Sequence, residues 1–381
     1  MPLQTMILSK GQSLSHLALG LAALTWPAGV GFADVAVLEP SQDTAIFEES
    51  DNSSGAGDLF SGRTQSDNRR RALIKFDMAG DLPLGLTLNS ASLTLQLKQS
   101  STGERSADIH RMRGDWGEGA SSSPAIGGQG APAEASDATW LNPFYPDTLW
   151  FVPGGDYVEG EISVTQTVNG PGAYTWSSPQ FLEDVRRWYE HPLENFGWML
   201  IIDESQHSAK RFHSREAADP ANRPKLIIDF TTYSDEWLAL HFPGDPQNAA
   251  DHLDLDGDSL PNFLEYALGT DPRAFTLLSQ RPRSIGISPG IGVQGNFFSY
   301  EFTRHTRASD LTLRLEVSDD VSDPASWISL AESQGGQDMT GGNVVLDFSL
   351  SGNGVNTVIV RDSLDAGTLG KRFMRLSVTR N

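Results

Sequence analysis

Between Asn89 and Leu97 the chain reads NSASLTLQL, with Ala91, Leu93, Leu95 and Leu97 on one parity and Ser90, Ser92, Thr94 and Gln96 on the other. A period of two places every apolar side chain on one face of a strand, whereas the faces of a helix repeat every 3.6 residues. The same alternation runs through ADVAVLEP, DTAIFEES and RRALIKFDM, each bounded by turn-forming residues. Strands of this kind bury one face and leave the other wet, which is the habit of antiparallel sheets. The 37 glycines and 21 prolines supply the turns that many short strands need. The chain therefore reads as mainly β.

A length of 381 residues implies two or three domains. Residues 34–232 read as a β-sandwich ending in the strands FGWMLIID and RPKLIIDF. One helix interrupts it, SSPQFLEDVRRWYEHP: Ser178 can cap it, Pro179 suits its first position, and Phe181, Leu182, Val185 and Trp188 share a face. Residues 117–137, small and rich in Gly and Pro, read as a mobile surface loop. From Ser234 to Pro272 there is no Lys or Arg, and residues 233–272 read as a small separate linker unit. Residues 273–381 form a C-terminal β domain, opened by the linker-like SIGISPGIGVQGN. Its strand candidates are FFSYEFTR, LTLRLEVSD, NVVLDFSL, NTVIVRD and RFMRLSVT.

The first 33 residues carry Lys10, an apolar run and small residues at Gly31 and Ala33, the layout of a cleavable secretory leader. Cleavage there would start the mature chain at Asp34, leave no membrane span and place the protein outside the cell or on its surface. The chain has no cysteine, so thiol catalysis and sulfur-ligated metal sites are excluded, and stability must come from burial, to which a metal could add. Acidic residues number 49 against 28 basic, a net charge of −21, which argues against nucleic acid as a partner.

DLDGDSLPNFLE, Asp254 to Glu265, has oxygen donors at the spacing of an EF-hand-type loop. Asp254, Asp256, Asp258, Asn262 and Glu265 offer side chains and Leu260 its carbonyl, and Ca2+ is the expected cofactor. Ser259 stands where that spacing favours glycine, so the turn there is harder to make. The stretch from Trp237 to Pro272 resembles the calcium-binding linkers of exported bacterial proteins that are related to thrombospondin type 3 and dockerin loops. A dockerin carries two such loops and only one is visible here.

DTAIFEESDNSSGAGDLFSGRTQSDNRRRALIKFDM, then GDWGEGA, ATWLNP, LWFVPGGDY, YTWSSPQFLEDVRRWYEHPLENFGWMLI and RFHSREAADPANRPKLIIDF, resemble in this order the DNRLRE-type domains. These are classed with carbohydrate-binding modules. The resemblance spans nearly all of the first domain and departs from the name motif at Asp67–Arg71, DNRRR. It implies a jelly-roll-like sandwich and a secreted, non-catalytic polysaccharide-binding protein whose partners include acidic polymers.

A sugar site needs aromatic faces and polar groups for hydroxyls or carboxylates. Trp116, Trp140, Tyr145, Trp150 and Tyr157 lie beside loops, and Arg69, Arg70, His110, Arg111 and Arg113 could meet an acidic polymer. Two other classes stay open, a structural or adhesion surface protein and a polysaccharide lyase or hydrolase. GISPG at Gly286 and GIGVQG at Gly290 match hydrolase and dinucleotide motifs only in letters, because neither leads into a helix.

Overall fold

The computed structural model describes residues 34–122, 128–289, 295–349, 352–368 and 371–381, so the leader read at 1–33 lies outside the described residues. The chain is mainly β and divides into two compact units. One holds residues 33–82 and 88–230, the other 83–87 and 231–381. No helix among the described residues is long and apolar enough to cross a membrane.

The first unit is a jelly-roll-like antiparallel β-sandwich. In one layer the long strand Thr87–Ser100 pairs with Gly172–Trp176 and Lys210–Phe212, and Asp34–Leu38 pairs along Lys225–Thr231. In the other, Arg69–Lys75 lies between Gln42–Phe47 and Trp198–Ile202, followed by Arg105–Arg111 and Val164–Val168. Leu59–Arg63 joins the layers by pairing with a strand of each. Ala91, Leu93, Leu95 and Leu97 are buried as their parity demands, at about 1.5–3 kcal/mol for each fully buried leucine. Trp176 reaches from the first layer to donate through Nε1 to the Ala107 carbonyl of the second, at 2.9 Å.

The helix Pro179–Glu190 forms where expected. Ser178 Oγ accepts the Phe181 N–H at 3.0 Å, and Phe181, Val185 and Trp188 are buried. Ser178→Ala should cost about 1 kcal/mol, read from denaturant unfolding of the full chain. An unchanged midpoint would mean that the cap adds nothing to packing.

The stretch 117–137, read as a mobile surface loop, is anchored at several points in its described part; residues 123–127 lie outside the described residues. Asp137 is fully buried and accepts the N–H groups of Ala120 and Glu134, at 3.0 and 2.8 Å. Ala131–Pro132 adds to the sheet edge at Asn52–Ser53. Small residues are used here because backbone runs close to backbone, as at Gly117, where a Cβ would lie 1.8 Å from the Ser136 carbonyl oxygen.

The second unit holds two antiparallel sheets. One runs in the order Arg283–Pro289, Asn296–His305, Val355–Arg361, Val344–Phe348, and the other in the order Ile328–Gln334, Leu311–Ser318, Phe373–Arg380. The five expected strands are joined by two more: Arg283–Pro289, inside the stretch read as linker, and Ile328–Gln334. Two helices, Tyr233–His241 and Asn262–Leu268, precede them. The segment read as a separate linker unit shares one apolar core with these sheets: Trp237, Phe242, Phe263, Leu264 and Leu268 pack with Phe302, Leu313, Val358 and Leu376. A seven-residue helix buried on every side has to be walled in by something larger than itself, and here the sheets do so.

Candidate functional site

Asp254, Asp256 and Asp258 bring carboxylate oxygens within 4.8 Å of one another. The loop is held by its own backbone. Asp254 accepts the N–H groups of Gly257, Asp258 and Ser259 at 2.8–3.1 Å, and Asp258 accepts those of Leu260 and Thr276. Ser259 takes the left-handed conformation, φ 73°, that the sequence position demands, at the cost a non-glycine residue incurs there. Gly269 ends the following helix at φ 73°, and a Cβ there would lie 2.7 Å from Val355.

Two of these acids have unmet needs. Glu265 is fully buried and its Oε2 has no hydrogen-bond partner, nor has Oδ2 of Asp256. Burial first, then the charges of Asp256 and Asp258, push the Glu265 carboxyl up to about 8. Burial likewise raises Asp256. Arg281, 3.6 Å from Asp258, is the one cation paired with the cluster among the described residues. Three clustered carboxylates, with Glu265 electrostatically coupled to them and buried oxygens left over on Asp256 and Glu265, form a donor set that suits a hard divalent cation. Asn262 is engaged mainly outside the loop, its Nδ2 donating to the carbonyls of Asn248 and Ala250 at 2.8 and 3.0 Å, and its buried Oδ1 has no hydrogen-bond partner. The Leu260 side chain is in the core, which leaves its backbone to serve the loop.

In the first unit the aromatic residues expected at a ligand face are mostly core. Trp116, Trp140 and Trp150 are at most 6% exposed and pack with Ile46, Leu73, Met112 and Met199. They roof the outer face of the second sheet layer, so their rings are closed to a sugar. Trp116 Nε1 donates to the Phe196 carbonyl and Trp150 Nε1 to that of Thr139. Tyr157 and Tyr145 are half-buried, and His110, buried, meets the Tyr157 ring edge-on at 5.0 Å.

The arginines are spent inside the fold. Arg69 pairs with Glu48, Arg70 with Glu49, and Arg111 with Glu161 and Asp184, whereas the Arg113 side chain is exposed. Arg71, the last residue of DNRRR and not among the residues expected at a ligand face, is the central one. It is buried, bidentate to Glu204 at 2.8 Å, and stacked over Trp140 and Tyr157 at 5.0 and 5.3 Å. Gly154 makes room for it, since a Cβ there would lie 2.8 Å from both Arg71 and Trp140.

What the roof exposes is aliphatic and phenyl surface. Phe151 is 93% exposed, Leu149 71% and Val152 56%, all on one loop with Leu141 nearby. The loop is stiff: Asp156 accepts the N–H groups of Phe151 and Val152, each at 2.8 Å, and Trp150 N–H bonds the Leu141 carbonyl at 2.9 Å. Alternation gives no sign of which ring in LWFVPGG faces out, so only the fold separates Phe151 from Trp150. Asp115 and Glu118, two acids close in sequence, each have a cationic partner, Lys75 and Arg215.

No protein-family model matches the chain, and no curated protein matches it. Among solved structures, one that aligns is the N-terminal CBM22-1-CBM22-2 tandem domain of Paenibacillus barcinonensis Xyn10C. It is 8% identical, covers 94% of this chain and 92% of that one, and has a TM-score of 0.21, too low to bear on fold or function.

Proposed function

We propose that this chain is a secreted or surface-exposed, non-catalytic polysaccharide-binding protein with a structural calcium site. The observation that carries the binding is the stiff loop that holds Phe151 almost wholly in solvent. An ordered, exposed ring loses little freedom when a sugar face stacks on it, and a soluble protein rarely leaves such a patch without use. The resemblance of Asp43–Phe230 to DNRLRE-type domains supports the same reading. A neutral polymer fits better than an acidic one, because Arg69, Arg70 and Arg111 already have carboxylate partners.

Calcium belongs to the loop. Asp254, Asp256, Asp258 and Glu265 would hold it, with the Leu260 carbonyl and Asn262 Oδ1 as further donors. Its contribution is charge: it relieves the mutual repulsion of these acids and gives the orphaned oxygens of Asp256 and Glu265 a partner. The chain's own residues set the loop's shape through the Asp254 and Asp258 backbone bonds. The resemblance to calcium-binding linkers supports this assignment.

Retention of the full chain on a panel of neutral and acidic polysaccharides, with Phe151→Ser beside it, tests the reading. We expect retention on at least one polymer and at least a tenfold weaker affinity in the variant, with an unchanged melting temperature because Phe151 packs on nothing. Absence of retention on every polymer would favour a structural or adhesion surface protein, and release of reducing ends or unsaturated uronates would make it an enzyme.

A further inference from the structure

We infer that the first unit carries a second divalent-cation site, built from Asp43, Glu118 and Glu216, independent of the loop at Asp254 and of the polysaccharide reading. The three residues lie far apart in sequence. Asp43 is on the strand Gln42–Phe47, Glu118 in the loop after Trp116, and Glu216 in the segment after the strand Lys210–Phe212. The fold brings one carboxylate oxygen of each within 4.8 Å of the others. Two oxygens on one calcium ion, each at 2.3–2.6 Å, can be up to about 5 Å apart, so the cluster is within the span of one ion.

The hydrogen bonds around the cluster leave a specific gap. Asp43 N–H donates to Glu118 Oε1 at 2.9 Å, Arg215 N–H to Asp43 Oδ2 at 2.8 Å, and Arg215 Nη1 to Glu118 Oε2 at 2.7 Å. Arg215 Nε stands 3.7 Å from Glu216. Asp43 itself has no solvent exposure, and its Oδ1 has no donor. An ionised carboxylate oxygen buried without a partner is costly, and structures rarely keep one without a ligand. Three carboxylates against one guanidinium also leave an excess of two negative charges, the amount a divalent cation cancels. The donors are all oxygen, which selects a hard ion of the calcium or magnesium kind over zinc or copper. The rival arrangement has no metal: Asp43 and Glu216 share a proton.

Calcium titration of the chelator-treated full chain, read by calorimetry and by native mass spectrometry, separates the two. Wild type should take up two calcium ions and the Asp256→Ala/Glu265→Ala variant one. Adding Glu216→Gln or Asp43→Asn to that variant should weaken the remaining site at least tenfold. Glu216 is exposed, so its variant keeps the fold, and circular dichroism checks the Asp43 variant. If the loop variant binds no calcium at millimolar concentration, the acids share a proton and the proposal is overturned. Binding that ignores both Glu216→Gln and Asp43→Asn overturns it too. If wild type and the loop variant each bind one ion, the sandwich site stands and the loop assignment falls.

Discussion

Chelating calcium from the full chain should lower the melting temperature of the transition that reports on residues 231–381 by about 8–16 °C. The figure follows from mass action: at a free calcium concentration about a thousand times the dissociation constant, binding adds about 4 kcal/mol. For a unit of this size each kcal/mol moves the midpoint by about 2–4 °C. The effect has a sign in pH. In the metal-free protein the Glu265 carboxyl sits at about 8, above its ordinary range near 4.3, so the folded state holds a proton that the unfolded state releases. As pH rises from about 4.3 to 8 the metal-free form therefore loses stability through this group, by a few kcal/mol in all. A cation held by the Glu265 carboxylate would compete with that proton, so its stabilisation should be larger at pH 8 than at pH 5. Scanning calorimetry at both pH values, with and without chelator, measures this. Equal midpoints with and without calcium, or an Asp256→Ala/Glu265→Ala variant that responds like wild type, would dismiss the loop as a cation site.

A second large effect lies in the same unit, away from the loop. Arg304 is 1% exposed and its guanidinium grips Asp347, whose side chain is 6% exposed, through Nε and Nη2 at 2.9–3.1 Å. Asp347 further accepts the Met339 N–H and the Asn356 amide, at 2.7 and 2.8 Å. Arg304→Met removes the cation and strands a carboxylate that two neutral donors cannot balance. The expected loss is about 3–5 kcal/mol in denaturant unfolding. The exposed pair Arg314–Glu332 is the internal comparison: Arg314→Ala should cost under about 1 kcal/mol. A similar small loss at Arg304 would mean that water reaches Asp347 once the arginine is gone.

What could be read from sequence follows from what is periodic or locally spaced. The strand carrying Leu93 and Leu95, the capped helix at Pro179 and the Asp254 loop each state their geometry within a dozen residues. Arg283–Pro289 does not: RSIGISP has the Gly and Pro of a linker, yet its backbone pairs with Asn296–His305 across a register shift. Ile328–Gln334 hides for a related reason. A bulge opposite Glu316 breaks its alternation.

The side chains of the first unit were legible as a set but not in their roles. Loop tryptophans can roof a sheet or face solvent, and only the packing of Trp116, Trp140 and Trp150 against Leu73 and Met199 decides it. Asp43 did leave a trace, as an acid on the same parity of its strand as Ala45 and Phe47, both fully buried. Glu118 and Glu216 left none, because nothing local brings them to Asp43.

The helix Asn262–Leu268 carries Glu265 on one side of its turn and Phe263, Leu264 and Leu268 on the others, all buried. The loop and the hydrophobic interior thus share one helix, and neither is complete without it. A cation held by the loop would therefore act as a latch on a segment more than a hundred residues long.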